Sequence, residues 1–452
     1  MFKNNSIQHL TLKIQHLLSH QGFIRYFTNT SWLFAEKVFR IVVSLFVGVW
    51  VARYLGPEKF GLLSYAQSFV ALFSAIATLG LDQIVVRELV KDESRRDELL
   101  GTSFWLKVMG ALATLVVIAI AINFTSNDFY TNILIFIIAS GTIFQAFNII
   151  DMYFQAKVMG KYIALANSVS LFVGSLFKIA LIIYNAPLIT FAIAFVFDSF
   201  VLALGYIYFY VKNLSVYNLF NFKFRKETAI ALLKDSWPLI LSGLVTMIYM
   251  RIDQVMIKEM LNAEAVGQYA AAVRISEAWY FIPMVISSSL FPAIINAKKQ
   301  SEELYYARLQ RLYDLMVWIA ISVALPMTFL SDWVVNLLYG EEYSQAGKVL
   351  MIHIWAGVFT ALLIASGKWF IAENLQYLAF RRNFIGMTIN VILNFILIPI
   401  YGIIGAAIST LISQLSAAYI SDLFNKKTRI MFKMKTRSLL MINIFHFLEE
   451  KN

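Results

Sequence analysis

The chain contains no cysteine, which removes disulfides, thiolate nucleophiles and cysteine-ligated metals from consideration. Charge is also scarce. Only 14% of the 452 residues are charged while 60% are hydrophobic and 15% aromatic, whereas an ordinary globular chain carries about 25% charged residues. That balance cannot be hidden in a water-soluble core. No G-x-x-x-x-G-K-[ST] segment is present, so direct drive by ATP is not expected. The first thirty residues place Lys3, Lys13 and Arg25 among His9, His16 and His20, without the short apolar core and small-residue cleavage site of a signal peptide, so no leader is expected to be removed. Nor is a soluble module left over to read the net charge of +11 as a nucleic-acid-binding face.

What the chain does have is apolar stretches of about twenty residues, the length that crosses a roughly 30 Å hydrocarbon layer at 1.5 Å per helical residue. The ten-residue alternating segments of an outer-membrane barrel are missing. The expected fold is an all-α polytopic membrane protein of about twelve transmembrane helices. Spans are read at 33 to 54, 60 to 81, 101 to 123, 131 to 153, 163 to 184, 187 to 210, 236 to 258, 266 to 293, 312 to 330, 349 to 372, 379 to 400 and 402 to 423. Counted in alternate loops starting from the amino-terminal tail, one side of the membrane holds 27 of the 38 Lys and Arg, and the other holds only Lys59, Lys258 and Lys348. By the positive-inside rule both tails lie in the cytoplasm. Topology, not a polyanionic partner, then accounts for the basic balance.

The chain divides into a cytoplasmic segment at 1–32, six spans over 33–212, a linker at 213–235 that resembles a hinge, six further spans over 236–424 and a basic tail at 425–452. The stretches IQHLTLKIQHLL and SLLMINIFHFL (Ser438 to Leu448) are too short to span. They either lie on the inner leaflet, the second beside Lys433, Lys435 and Arg437, or remain disordered.

A short repeat relates the two sets of six. Leu55-Gly56-Pro57-Glu58-Lys59-Phe60-Gly61 and Leu261-Asn262-Ala263-Glu264-Ala265-Val266-Gly267 both read L-x-x-E-x-x-G, 206 residues apart. Each sits on an outer hairpin and leads into a span with a tyrosine, Tyr65 or Tyr269. Equivalent turns in two like halves, both entered from the cytoplasm, point to a parallel duplication around a central cavity, which favours alternating access over a static pore.

Several runs then carry a resemblance: VARYLGPEKFGLLSYAQSF, LDQIVVREL, YMRIDQVMIKEMLNAEAVGQYAAAVRISEAWYFIPMVISSSLFPAI, LLYGEEYSQAGKVL and INVILNFILIPIYGIIGAAISTLISQ. In order and spacing they resemble Wzx-type flippases, the O-antigen and polysaccharide repeat-unit translocases of the multidrug/oligosaccharidyl-lipid/polysaccharide exporter superfamily. The resemblance implies a MATE-like, V-shaped bundle in the bacterial inner membrane. It also implies transport of an undecaprenyl-pyrophosphate-linked oligosaccharide from the inner to the outer leaflet, with no cofactor. A coupling ion (H⁺ or Na⁺), the phospholipid bilayer, and a polysaccharide polymerase with its chain-length machinery are the implied partners. Twelve spans, not fourteen, set the chain apart from the peptidoglycan-precursor branch.

Charges inside the spans are the candidate site, because each Arg, Lys or Asp at a helix centre is disfavoured by about 2.5–3.5 kcal/mol. Arg251, Asp253, Arg274 and Glu277 fall on antiparallel neighbours joined by a short hairpin, with the two arginines at one depth and Glu277 one turn from Arg274. They either pair off, Arg274 with Glu277 and Arg251 with a nearby carboxylate, or line a cavity that exchanges internal pairs for substrate phosphate. Arg40 stands one turn from Glu36 and either pairs locally or captures phosphate at the cytoplasmic mouth. Asp198 lies mid-span and needs a partner or a proton. Lys178 can snorkel outward, as Lys107 and Lys368 are expected to do toward the inner interface. Trp279 and Tyr280 adjoin Glu277 and are the candidate sugar platforms, with packing as the alternative, and His353 is read as structural. A drug or cation antiporter of the same superfamily is the rival function, expected to want a cavity dominated by carboxylates and aromatics. A membrane polymerase or glycosyltransferase would need a large outer loop or a pair of catalytic acids, neither of which is seen, so the chain is not expected to be an enzyme.

Overall fold

The computed structural model describes residues 21–214 and 222–440. Most of the amino-terminal segment, and the SLLMINIFHFL stretch beyond residue 440, lie outside the described residues. Eleven described stretches are long and apolar enough to cross a membrane. The first is α1, Gln21–Leu72, which holds two helices joined at Gly56 (φ 70°, ψ 169°) just before Pro57. Only glycine takes this backbone without strain, and proline opens the second helix where its missing N–H is not needed. Counted this way the bundle makes twelve passes. The end that carries Gly56 is called distal here, and the opposite end basal.

The first half continues through α2 (Ser74–Thr78), α3 (Asp82–Lys91), α4 (Arg96–Ala121), α5 (Phe129–Ser140), a 3₁₀ stretch at Gly141–Asn148, α6 (Ile149–Ala156), α7 (Gly160–Ile183) and α8 (Leu188–Leu214). The second comprises α9 (Lys226–Met260), α10 (Ala263–Ala278), α11 (Phe281–Lys298), α12 (Glu302–Tyr339), α13 (Ser344–Ala372), α14 (Gln376–Tyr401) and α15 (Ile403–Ala418), followed by α16 (Arg429–Leu439). Capping side chains start three of these helices: Asp128 Oδ1 accepts from Thr131 N at 2.9 Å, Asn262 Oδ1 from Ala265 N at 2.8 Å and Ser301 Oγ from Leu304 N at 3.0 Å. The break between α10 and α11 falls at Trp279–Tyr280, because Pro283 has no N–H to return to the Trp279 carbonyl, and Ile282 N takes that oxygen instead at 2.9 Å. Within the second half, α13 is central, and its buried Ala346, Gly347, Ala356, Gly357, Ala361 and Ala365 let neighbouring backbones approach closely.

α9 begins at Lys226, inside the segment read as a linker, and its basal end is bonded to the first half. Lys223 N donates to the Asp97 carbonyl at 3.2 Å, Arg225 N to Thr102 Oγ1 at 3.1 Å and Arg225 Nη1 to Glu98 at 3.2 Å. Gly101 leaves room for this passage, since a Cβ there would meet Lys223 N at 2.5 Å.

One lysine differs from its expected placement, and a second is buried in the basic tail. Lys107 does not snorkel but is 2% exposed and reaches Asp82 Oδ1 at 2.7 Å. Lys435 belongs to the basic tail. It is buried on α16, donating to Asp422 Oδ2 and to the Ala418 carbonyl, both at 2.7 Å. Burial pushes its ammonium down to about 8. In each case a nearby carboxylate in a helix-end turn offers a partner closer than water does. Replacing Lys435 by Met leaves Asp422 buried without its partner, with an expected loss of about 3–5 kcal/mol. Lys435→Met with Asp422→Leu is expected to recover most of it, as measured by thermal unfolding of the purified protein.

Candidate substrate cavity

The distal ends of the halves meet where α10 lies against the second helix of α1. A Cβ on Gly61 would fall 1.7 Å from the Ala263 carbonyl oxygen, and one on Gly267 would fall 1.9 Å from that of Pro57. The glycines of the sequence repeat are therefore the reciprocal points of contact across the seam. Hydrogen bonds between the halves reinforce it: Glu259 accepts from Tyr65 Oη at 3.1 Å and from Ser126 N and Oγ, both at 2.8 Å. Tyr343 Oη donates to the Ala52 carbonyl at 2.7 Å, and Ser68 Oγ to Gln254 Oε1 at 2.9 Å.

Below this seal a cavity of about 710 Å³ runs between α1, α7 and α8 of the first half and α9 and α10 of the second. A second space of about 280 Å³ adjoins it and shares Gln67, Arg251, Arg274 and Glu277. The charged residues that line the larger space are Arg40, Lys178, Arg251 and Arg274 against Asp198 and Glu277. Six of the predicted site residues are thus brought to one chamber.

Their pairing differs in part from expectation. Arg40 Nε donates to Glu36 Oε1 at 2.7 Å, the local pair at i and i+4. Lys178 Nζ donates to Asp198 Oδ2, so that lysine turns into the chamber and does not snorkel. Asp198 Oδ1 is buried without a hydrogen-bond partner among the described residues. Glu277 lies 3.8 Å from Arg251 Nη1, not beside Arg274. The guanidinium of Arg274 instead reaches across to the first half, 5.1 Å from the centre of the Phe60 ring. Among the described residues it forms no ion pair within 4 Å.

Trp279 and Tyr280 do not line the chamber. Both pack on α13 at Gly357, where a Cβ would meet Trp279 Cζ2 at 2.5 Å, because the helix break at this point turns the two rings into the second half. Asp253 is also placed apart. It is 5% exposed inside the second half, where its carboxylate accepts from Tyr269 Oη and Thr410 Oγ1, both at 2.7 Å, and from Asn394 Nδ2. Asn394 Oδ1 and Asn390 Nδ2 are buried in the same cluster with no hydrogen-bond partner among the described residues. His353 is buried with Nδ1 2.8 Å from Ser276 Oγ.

Sequence reasoning did not single out Asn390, Asn394 or Thr410, although two asparagines at i and i+4 inside an apolar run were a readable signal. Gly48 and Phe60 gave none, since their importance rests on what a distant helix places against them.

Comparison with known proteins places these features in context. The family model described as polysaccharide biosynthesis protein matches residues 27–298, and the MatE model matches residues 238–396. The chain is 26% identical over 188 residues to the probable low-salt glycan biosynthesis flippase Agl15 of Haloferax volcanii, covering 40% of this chain and 39% of that protein. It is 21% identical over 406 residues to the capsular polysaccharide biosynthesis protein CapF of Staphylococcus aureus, covering 86% and 96%. The match with the first of these relatives thus spans well under half of its length. In fold the chain superimposes on lipid II flippase MurJ in an inward closed conformation with TM-score 0.71, at 17% identity and 92% coverage of both chains. An inward-facing multidrug resistance MATE family transporter gives TM-score 0.70 at 16% identity, covering 88% of this chain and 96% of that one. The fold is MATE-like.

Proposed function

Because the chain belongs to the polysaccharide biosynthesis protein family, we infer that it is a transporter that moves a lipid-linked oligosaccharide from the inner to the outer leaflet of a cytoplasmic membrane. The observation that carries this reading is the sign of the chamber: of its four cations, Arg40, Lys178 and Arg251 each stand within 4 Å of a carboxylate, and Arg274 is left in excess. A sugar head group on a pyrophosphate cannot cross hydrocarbon unpaired, because the transfer would cost on the order of tens of kcal/mol. Arginine meets phosphate oxygens in a bidentate fork, and the sugars can ride in the wet chamber while the lipid tail stays in the bilayer.

Alternating access supplies the movement. We read the distal seal with the chamber beneath it as the state that takes cargo from the basal end, the end that the positive-inside rule predicts to be cytoplasmic. On this reading the chain acts beside the glycosyltransferases and polymerase that make and consume its cargo. The buried Asp253 cluster, with Tyr269, Asn394 and Thr410, gathers side-chain oxygens from four helices and is the candidate site for a coupling cation, H⁺ or Na⁺. The MatE match supports a second reading, export of cationic compounds by antiport, but an excess of cations in the chamber opposes a cationic cargo.

The test is made in cells lacking their own flippase and supplied with this chain. Surface polysaccharide is expected to reappear while lipid-linked repeat units cease to accumulate inside. Efflux of a cationic dye without restored polysaccharide would overturn the reading in favour of the antiporter.

A further inference from the structure

Arg274 belongs to the second half, yet its guanidinium is seated on the first. The Phe60 ring lies 5.1 Å away, and Gly48 of α1 is against it as well, where an added Cβ would come 2.5 Å from Arg274 Nη1 and 3.3 Å from Cζ. Any residue larger than glycine at 48 occupies the space the guanidinium now fills. Gly48, Phe60 and Arg274 all line the main chamber, as do Arg251 and Glu277 of the second half.

We propose that Gly48 and Phe60 are positioning residues that hold Arg274 at the phosphate site, so that this site is whole only while the two halves are closed at the distal seam. The proposal rests on the phosphate-binding reading above and adds to it a switch in affinity. Phe60 and Gly48 travel with the first half, and Arg274 travels with the second. When the seam at Gly61 and Gly267 parts, the ring and the cleft move away from the guanidinium, and the site loses the alignment on which bidentate contact depends. Phosphate is gripped from the basal side and released on the distal side without any change in protonation. In this arrangement the guanidinium, with no ion pair within 4 Å among the described residues, is held for an incoming anion by the ring face and by the close backbone at Gly48.

The chemistry of the contact makes a clean test. The atom that an alanine at 48 would strike is the end of a flexible side chain and not backbone, so Gly48→Ala displaces Arg274 and leaves the helices in place. Binding of inorganic pyrophosphate to the purified full-length chain is measured by isothermal titration, with thermal unfolding as the check on folding. Gly48→Ala is expected to bind about tenfold more weakly or worse, close to Arg274→Ala. In the Arg274→Lys background, where the fork that Gly48 accommodates is gone, Gly48→Ala is expected to have little further effect, and this non-additivity is a signature that a general packing role does not produce. Phe60→Leu, which keeps bulk without the ring quadrupole, is expected to weaken binding in the same direction. Gly61→Ala, outside the site, is expected to weaken it too by opening the seam.

Gly48→Ala binding pyrophosphate like the parent, or losing the same factor whether residue 274 is Arg or Lys, would overturn the positioning role while leaving the transport reading intact. Undiminished binding by Gly61→Ala, with the chamber shown to be open distally, would overturn the switch. Absence of pyrophosphate binding in the parent, or its persistence in Arg251→Ala/Arg274→Ala, would instead strike at the phosphate site itself.

Discussion

Replacing Arg251 and Arg274 together by Ala is expected to abolish surface polysaccharide in complemented cells, with the protein still present in the membrane at near-normal level. Each guanidinium–phosphate contact is a charge-assisted hydrogen bond of about 1.5–3 kcal/mol, so losing both amounts to roughly a 10²- to 10⁴-fold fall in productive capture. The protein should insert, because removing two cations from mid-membrane relieves about 2.5–3.5 kcal/mol for each. Glu277, 3.8 Å from Arg251, is left with the deficit, and adding Glu277→Gln is expected to restore stability without restoring transport. Single changes to Lys keep the charge but lose the planar fork, and part of the activity is expected to remain. Polysaccharide is scored against the amount of membrane protein. Unchanged activity in the double Ala variant would remove the two arginines from the mechanism while leaving the fold assignment as it stands.

A second large effect is expected at the seam. Gly61→Ala with Gly267→Ala sets two methyl groups 1.7 and 1.9 Å from carbonyl oxygens of the opposing helix, far inside van der Waals contact. The opposing atoms are backbone, so relief comes only from separation of the halves. Distal closure becomes the disfavoured state, and the cycle stalls with the chamber open outward, with transport expected to fall on the order of 100-fold for a shift of about 3 kcal/mol in that equilibrium. The natural chain has no cysteine, so one introduced at Gln67, which lines both spaces, reports alone. A membrane-impermeant maleimide added to cells is expected to label Gln67→Cys in the glycine double variant and not in the parent. A shielded cysteine together with normal transport would mean that the seam is not a gate.

The class, the number of passes and the division into like halves were legible in the chain because each rests on a local quantity. A pass needs about twenty apolar residues in succession, and the Gly56-Pro57 turn, hidden inside one long helix, could still be counted from the apolar run on each side of it. The L-x-x-E-x-x-G repeat likewise marked Gly61 and Gly267 as equivalent. That they touch one another's helices is a fact of tertiary packing. The charges that needed an explanation could be read off too, since an arginine in hydrocarbon is costly wherever it points.

Partners could not be read in the same way. Spacing along a helix put Glu277 one turn from Arg274, yet it stands nearer Arg251, because a guanidinium on a long side chain can cross to another helix and a ring 5.1 Å away on α1 drew it there. Trp279 and Tyr280 sit beside the site in sequence and outside it in space, turned by the break that Pro283 imposes. Lys435 gave no sign in the sequence of its partner, and is buried against Asp422, thirteen residues before it. Composition and hydrophobic run length decide which segments enter the bilayer, and the chain alone determines them. Which charge meets which is decided when helices far apart in the chain come together, because a side chain is satisfied by the nearest group in space and sequence does not record that distance.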